Sequence, residues 1–182
     1  VIVYHLPSIT AVPLSSPLIG RLKRAFPGVV TGVKDSSGEW ANTERLLADH
    51  ADLHILVGDE RQLARAMRQG GSGAINGFSN FCARTILPMV ERGEDVAGIA
   101  ELVDLLLRYP VTPGVKALVA HRFRDDAYLA VAPPLVHADP DLQLKAALES
   151  TKSPHIGLDA GELAGIGSIG VPIATELVGR VD

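Results

Sequence analysis

The chain is poor in cysteine. Cys82 is the only one in 182 residues, so no disulfide can form within it. That fits a reducing, cytosolic compartment. Cys82 lies in the apolar segment FSNFCARTILPMV and reads as a small buried hydrophobe. Positive charge is also scarce: 17 Lys and Arg face 21 Asp and Glu, for a net charge of −4. Without a basic footprint, no nucleic-acid partner is expected. Apolar runs are too short to span a membrane, and no signal-peptide pattern opens the chain, so no membrane partner is expected and the location is read as cytoplasmic. Metal-ligand spacing is missing as well. His5, His50, His54, His121, His137 and His155 are scattered. His50 and His54 are four apart, but the expected helix ends between them. No metal site is expected.

What is present is ordinary globular composition, 47% apolar and 21% charged, in a chain long enough for one domain with a sizeable core. Short apolar runs alternate with amphipathic stretches. VIVYH, GVVTGVK, LHILVG and the weaker SGAING read as strands. SPLIGRLKRAF, ANTERLLADHA, ERQLARAMRQGG and FCARTILPMVERG read as the helices that follow them, the first capped by Ser16 and Pro17, the third closed by glycine. Residues 1–93 thus form four βα units, the pattern of a parallel α/β sheet with helical cover. Residues 94–150 read as helical only: EDVAGIAELVDLLLRYP, PGVKALVAHRF and DPDLQLKAALES. Residues 151–182 are rich in Gly and small residues without a clear period. GIGSIG has nucleotide-fingerprint spacing, but no strand precedes it, so it reads as loop. Val1 opens directly in an apolar run without an initiator methionine, as though the polypeptide were longer or cut.

In parallel α/β folds functional groups collect at the carboxyl ends of strands. Those ends offer Tyr4 and His5; Lys34, Asp35, Ser36 and Ser37; Gly58, Asp59 and Glu60; and Ile75, Asn76 and Asn80. Strand alternation puts Val30, Gly32 and Lys34 on one face and Thr31, Val33 and Asp35 on the other. Two readings of Lys34 stand. It can snorkel to the surface and pair with Asp35 or Glu39. Or it is held in a poorly solvated pocket, where an amine becomes nucleophilic and forms Schiff bases with carbonyl substrates. Tyr4, on an adjacent strand, is either a core tyrosine or a proton shuttle for such chemistry. Asp59 and Glu60 either start a helix or touch a substrate. His5 would face the opposite way from Tyr4 and is read as structural.

At these residues a family resemblance emerges. VYHLPSITAVPLS resembles the Y-x-x-P segment of the dihydrodipicolinate synthase / N-acetylneuraminate lyase family, and GVKDSSG its Schiff-base lysine segment. VGDERQLARAMRQGGSGAINGFSNF resembles the two strand ends that follow, and YPVTPGVKALVAHR with VAPPL its C-terminal helices. Four segments in one order at compatible spacing, over roughly residues 1–148, make the match specific. The resemblance implies a TIM (β/α)8 barrel with C-terminal helices, of which this chain would hold the C-terminal half, strands five to eight. It implies a class I aldolase or lyase, usually tetrameric, so a homo-oligomer is expected, dimer or tetramer. Lys34 would form the imine with pyruvate or another 2-oxo acid, and Tyr4 would relay protons. The backbone at Ile75 would border the pyruvate moiety. Gly58, Asp59 and Glu60 would lie near the variable part of an aldehyde or sugar-acid substrate. No metal or organic cofactor is implied.

Two departures qualify the expectation. Synthases that condense aspartate semialdehyde carry an arginine two residues after the proline; here Ile9 stands there and cannot pair with a carboxylate. A lyase acting on a 2-keto-3-deoxy sugar acid or similar substrate therefore fits better than a dihydrodipicolinate synthase, which is kept as an alternative. In addition, the first four strands have no counterpart, and with them go the hydroxyl motif for the 2-oxo-acid carboxylate and a second relay tyrosine. A full barrel takes about 250 residues, and four strands cannot close one. A non-catalytic half-barrel, either a degraded paralogue or an assembly module, is thus the competing expectation. The tail beyond Ser150 has no family counterpart.

Overall fold

The computed structural model describes residues 1–136 and two short strands beyond them, Ala147–Leu148 and Ile173–Ala174. Strand β1 (Ile2–His5) is followed by a single turn, α1 (Pro7–Thr10), and by α2 (Ser16–Ala25). Then come β2 (Gly32–Asp35), α3 (Trp40–Asp49), β3 (His54–Val57), α4 (Glu60–Arg68) and β4 (Gly73–Ala74). Helices α5 (Ala83–Arg92), α6 (Ile99–Leu106) and α7 (Val111–Phe123) complete the first 136 residues, with 3-10 turns at Phe78–Asn80 and Asp126–Leu129. The last strands are β5 (Ala147–Leu148) and β6 (Ile173–Ala174).

Strands β1 to β4 pair in chain order and all in parallel. Parallel neighbours need a crossover, which the helices between them supply. Helix α2 starts where the Ser15 hydroxyl accepts the Leu18 amide and Pro17 presets the first turn. Its apolar stripe buries Ile19, as α3 buries Leu46 and α4 buries Leu63 and Ala64. Val33, Ile55 and Val57 of the sheet are also fully buried, and α3 and α4 pack against β3.

The chain divides into two compact units. Val1–Asn76 with Ile86–Ala100 holds the four-stranded sheet. The other comprises Gly77–Thr85 and Glu101–Asp182. In it α7 buries Val115 and Val119, Phe78 stacks at 5.0 Å on Phe81, and Phe123 at 5.7 Å on Tyr128. A side chain at Gly77 would come within 2.8 Å of Val115, so glycine permits that close approach.

Several expected elements come out shorter. GVVTGVK is extended as a strand only from Gly32, after a turn in which Gly28 has φ +74. SGAING contributes two residues to the sheet. The single long helix expected over EDVAGIAELVDLLLRYP is α6 alone: Gly98, at φ +81, breaks the pattern just before Ile99. VAPPL is non-helical, as its two prolines require. The helix expected over DPDLQLKAALES is corrected at Ala147–Leu148, which are strand β5; the rest of that segment lies outside the described residues, as does GIGSIG. Strand β5 pairs in parallel with β6, Ala147 opposite Ile173 and Leu148 opposite Ala174, in a sheet separate from β1–β4.

Candidate active site

The register of β1 and β2 sets Tyr4 directly opposite Lys34, and the next strand places Leu56 opposite Lys34. All three lie near the carboxyl ends of their strands. The Lys34 ammonium nitrogen sits 4.1 Å from the centre of the Tyr4 ring. Lys34 is half-buried, and Tyr4 is 46% exposed. Lys34 is thus neither a free surface lysine nor a member of the core. It sits against the phenol.

The phenol is electrostatically tuned. Burial raises its pKa, but hydrogen bonds from Ser36 and Lys34 and the Lys34 charge outweigh that and hold it below its ordinary value of 10. Both hydrogen bonds favour the phenolate. Tyr4 is therefore a readier proton donor than a solvated tyrosine, and sits next to an amine that must lose a proton before it can act.

Ser36 owes its position to two neighbours. The first is Asp35, buried at 3% exposure, whose Oδ1 accepts the Ser37 amide at 2.9 Å. Its Oδ2 accepts Asn42 Nδ2 at 2.9 Å and the Thr43 hydroxyl at 2.9 Å. The Thr43 hydroxyl also lies 3.0 Å from Gln62 Oε1, and Gln62 Nε2 donates to the Gly38 carbonyl at 2.7 Å. The turn after Lys34 is thereby fastened to both α3 and α4. The second neighbour is Gly58: a Cβ there would stand 2.0 Å from Ser36 Oγ. The Gly58 amide donates to the Asp35 carbonyl at 2.7 Å, extending the ladder past the strand end.

The other expected site residues fall at the same end of the sheet with different environments. Asp59 caps α4, accepting the Arg61 amide at 2.9 Å and meeting the Arg61 guanidinium with both oxygens. Glu60 is 4% exposed in the first turn of α4. Ile75 is 46% exposed, its amide donating to the Val57 carbonyl at 3.1 Å. His5 faces away from Tyr4, and its Nδ1 accepts the Leu14 amide at 3.0 Å, tying β1 to the approach of α2. Ser36 is the functional candidate that strand-end reasoning named without assigning a role. The signal was its place two residues after Lys34, but its contact with position 58 is visible only in the fold.

A second polar cluster deserves separation from this one. The buried Ser16 hydroxyl donates to Asp49 Oδ2 at 2.5 Å and lies 3.0 Å from His50 Nε2. These are the residue types of a hydrolytic triad in the wrong order of contact: the carboxylate holds the serine rather than orienting the imidazole. The cluster pins the start of α2 to the end of α3. Among the described residues no group of His, Cys, Asp and Glu could hold a metal ion.

A parallel sheet with helical crossovers and a lysine and tyrosine paired at its carboxyl end define an α/β protein with a candidate site at its strand ends. Residues 1–138 match the Dihydrodipicolinate synthetase family, and the chain belongs to that family. It is 32% identical over 124 residues to an uncharacterized DapA-like lyase of Chloroflexus aurantiacus, covering 64% of this chain and 42% of the relative. It is 33% identical to the 4-hydroxy-tetrahydrodipicolinate synthase of Sorangium cellulosum, covering 76% of this chain and 48% of that protein. The crystal structure of dihydrodipicolinate synthase from Agrobacterium tumefaciens superposes with a TM-score of 0.74 and 54% identity, over 77% of this chain and 49% of that one. The chain spans about half the length of the relatives it matches. A different enzyme also matches. Over 38 residues, 21% of this chain, it is 60% identical to the 4-hydroxy-tetrahydrodipicolinate reductase of Sinorhizobium fredii, covering 14% of that protein. Reductases of the same name from Sinorhizobium medicae and Mesorhizobium japonicum match over 40 and 41 residues.

Proposed function

We propose that residues 1–93 supply strands five to eight of a (β/α)8 barrel, that the helices after them form its C-terminal extension, and that the barrel works as a class I, Schiff-base lyase or aldolase. The observation that carries this reading is the Lys34 nitrogen at 4.1 Å from the Tyr4 ring, on paired residues of adjacent strands. The free amine of Lys34 attacks the ketone carbon of pyruvate or another 2-oxo acid. The carbonyl oxygen takes up protons and leaves as water, and a protonated imine remains. That imine accepts the electron pair released when the adjacent carbon–carbon bond breaks, or, as its enamine, delivers the pair to an aldehyde carbon. Tyr4 takes and returns the protons these steps move, and Ser36 holds its phenol ready. The reaction needs no metal or organic cofactor.

The Ile75 backbone borders the pyruvate portion, and Gly58, Asp59 and Glu60 lie toward the variable portion. Asp59 and Glu60 act there through the helix they start, since their carboxylates are engaged or buried. Ile9 is 78% exposed on α1 and offers no partner for a substrate carboxylate. That favours a 2-keto-3-deoxy sugar acid or a similar substrate. The second reading, 4-hydroxy-tetrahydrodipicolinate synthase, is favoured by the 54% identity to the Agrobacterium tumefaciens enzyme. We place the protein in the cytoplasm as a homo-oligomer; among the described residues no helix is long and apolar enough to cross a membrane.

The test is intact mass after incubation with pyruvate and borohydride, followed by peptide mapping. A reduced pyruvyl adduct on Lys34, absent from Lys34→Ala, is the expected result. A folded protein that gains no mass would leave the non-catalytic half-barrel as the better account.

A further inference from the structure

We infer that the outer face of the sheet, on the side away from Lys34 and Tyr4, carries a binding site for a small monocarboxylate with a short apolar tail. This does not rest on the Lys34 reading.

The site begins with His5, which is 5% exposed. The Leu14 amide can only donate, so Nδ1 accepts it, at 3.0 Å, and the ring carries its hydrogen on Nε2. That N–H meets no acceptor among the described residues. Buried polar side chains are nearly always hydrogen-bonded, so such a donor marks a place for water or a ligand. His5 lines an open cavity of about 310 Å³, at the small end of the range for small-molecule sites. The cavity lies within the first compact unit.

Asp35, opposite His5 in the register, sets the walls. It fastens the Ser37 amide and the Asn42 side chain, and both residues line the cavity. Ser37 Oγ accepts the Glu39 amide at 3.2 Å, which leaves its own hydrogen to donate. Glu39, Asn42 and Arg45 follow at intervals of three from the N-cap of α3 and form one ridge beside the cavity. Arg45 has no ion pair or hydrogen bond from its side chain among the described residues, and neither has the Glu39 carboxylate. Six helical residues separate the two charges by about 9 Å along the axis.

The chemistry selects the ligand. The His5 N–H, the Ser37 hydroxyl and the Arg45 guanidinium are all donors. A carboxylate has two oxygens to accept them and matches a guanidinium bidentately. Pro7, Pro13 and Leu14 offer apolar wall for a short hydrocarbon tail. Glu39, on the same ridge as Arg45, repels a second negative charge, which disfavours dicarboxylates and phosphate dianions.

The test is a titration of the protein with butyrate, following the His5 imidazole nitrogen resonances. The expected result is a saturable shift of those resonances. Arg45→Met should weaken binding about tenfold, the worth of one charge-assisted contact, and Arg45→Lys should recover part of that loss. Succinate should bind less tightly than butyrate, and Glu39→Gln should narrow the difference. Arg45 and Glu39 are exposed, so these variants should keep the urea midpoint of the unsubstituted protein. Lys34→Ala should still bind butyrate. Binding lost in Lys34→Ala would place the carboxylate at the Lys34 site and overturn the inference. So would a shift that never saturates, an affinity indifferent to Arg45→Met, or an equal shift of His5 produced by butylamine.

Discussion

Ser36 occupies the space that any side chain at position 58 would need: a Cβ on Gly58 would lie 2.0 Å from Ser36 Oγ. The same serine helps hold the Tyr4 phenol below its ordinary pKa. A glycine at the end of one strand thus governs a phenol two strands away, through a hydroxyl that follows the lysine.

Gly58→Ala should turn Ser36 away from Tyr4. The phenol should then titrate nearer its ordinary value, and Ser36→Ala should reproduce the change. Loss of one hydrogen bond, about 1 kcal/mol, should slow imine formation with pyruvate by about fivefold. Tyrosine absorbance followed against pH, with Tyr4→Phe as the subtraction, reads the first effect. Borohydride trapping over time reads the second. An unchanged titration in both variants would remove Ser36 from the site.

The direction of the Tyr4 shift carries a pH signature. Its folded-state pKa lies below the unfolded value of 10. Its ionisation therefore adds stability above pH 10, and that increment is lost as pH falls through the lowered folded value. Near neutral pH it adds none. Unsubstituted protein and Tyr4→Phe should differ in the pH dependence of their urea midpoints only on the alkaline side. The difference should be small and shrink with salt, because Tyr4 is nearly half exposed. A divergence that appears in the acid range instead would contradict the assignment.

Asp35→Ala should be among the more damaging single changes. It strands the Thr43 hydroxyl, the Asn42 amide and the Ser37 backbone N–H beside a buried site. A loss of about 2–3 kcal/mol is expected, measured by urea unfolding. Asp35→Asn should recover only part of it, since one amide group cannot accept from all three donors. If Asp35→Ala unfolds at the same urea concentration as the unsubstituted protein, the turn is not held by this carboxylate.

Ile9→Arg separates the two substrate readings. With the arginine in place, condensation of pyruvate with a carboxylate-bearing aldehyde should gain about tenfold in kcat/KM, the worth of one charge-assisted hydrogen bond. Cleavage of a 2-keto-3-deoxy sugar acid should not gain. An equal effect on both substrates would mean that position 9 does not meet the substrate carboxylate.

Much of the first unit is legible from local pattern. Ile19, Leu46 and Leu63 each lie in the apolar stripe of their own helix, and Ile55 and Val57 sit on alternate positions of one strand, so period locates these helices and much of the core. Lys34 at a strand end is legible for the same reason. Gly98 ends the helical reading of the following segment because its backbone adopts φ +81, a conformation that apolar periodicity does not register.

What the sequence by itself determined, then, is the alternation of strand and helix, the residues buried, and the four segments that mark the family. The tertiary structure decided which groups meet. Tyr4 faces Lys34 because β1 pairs with β2 in one register; a one-residue slip would turn either side chain to the other face. Ser36 reaches the phenol because Gly58 yields the space, and β5 is a strand because β6 lies beside it. Such contacts join residues far apart in the chain. Local propensity cannot encode them, because their energy exists only once both partners have been brought together.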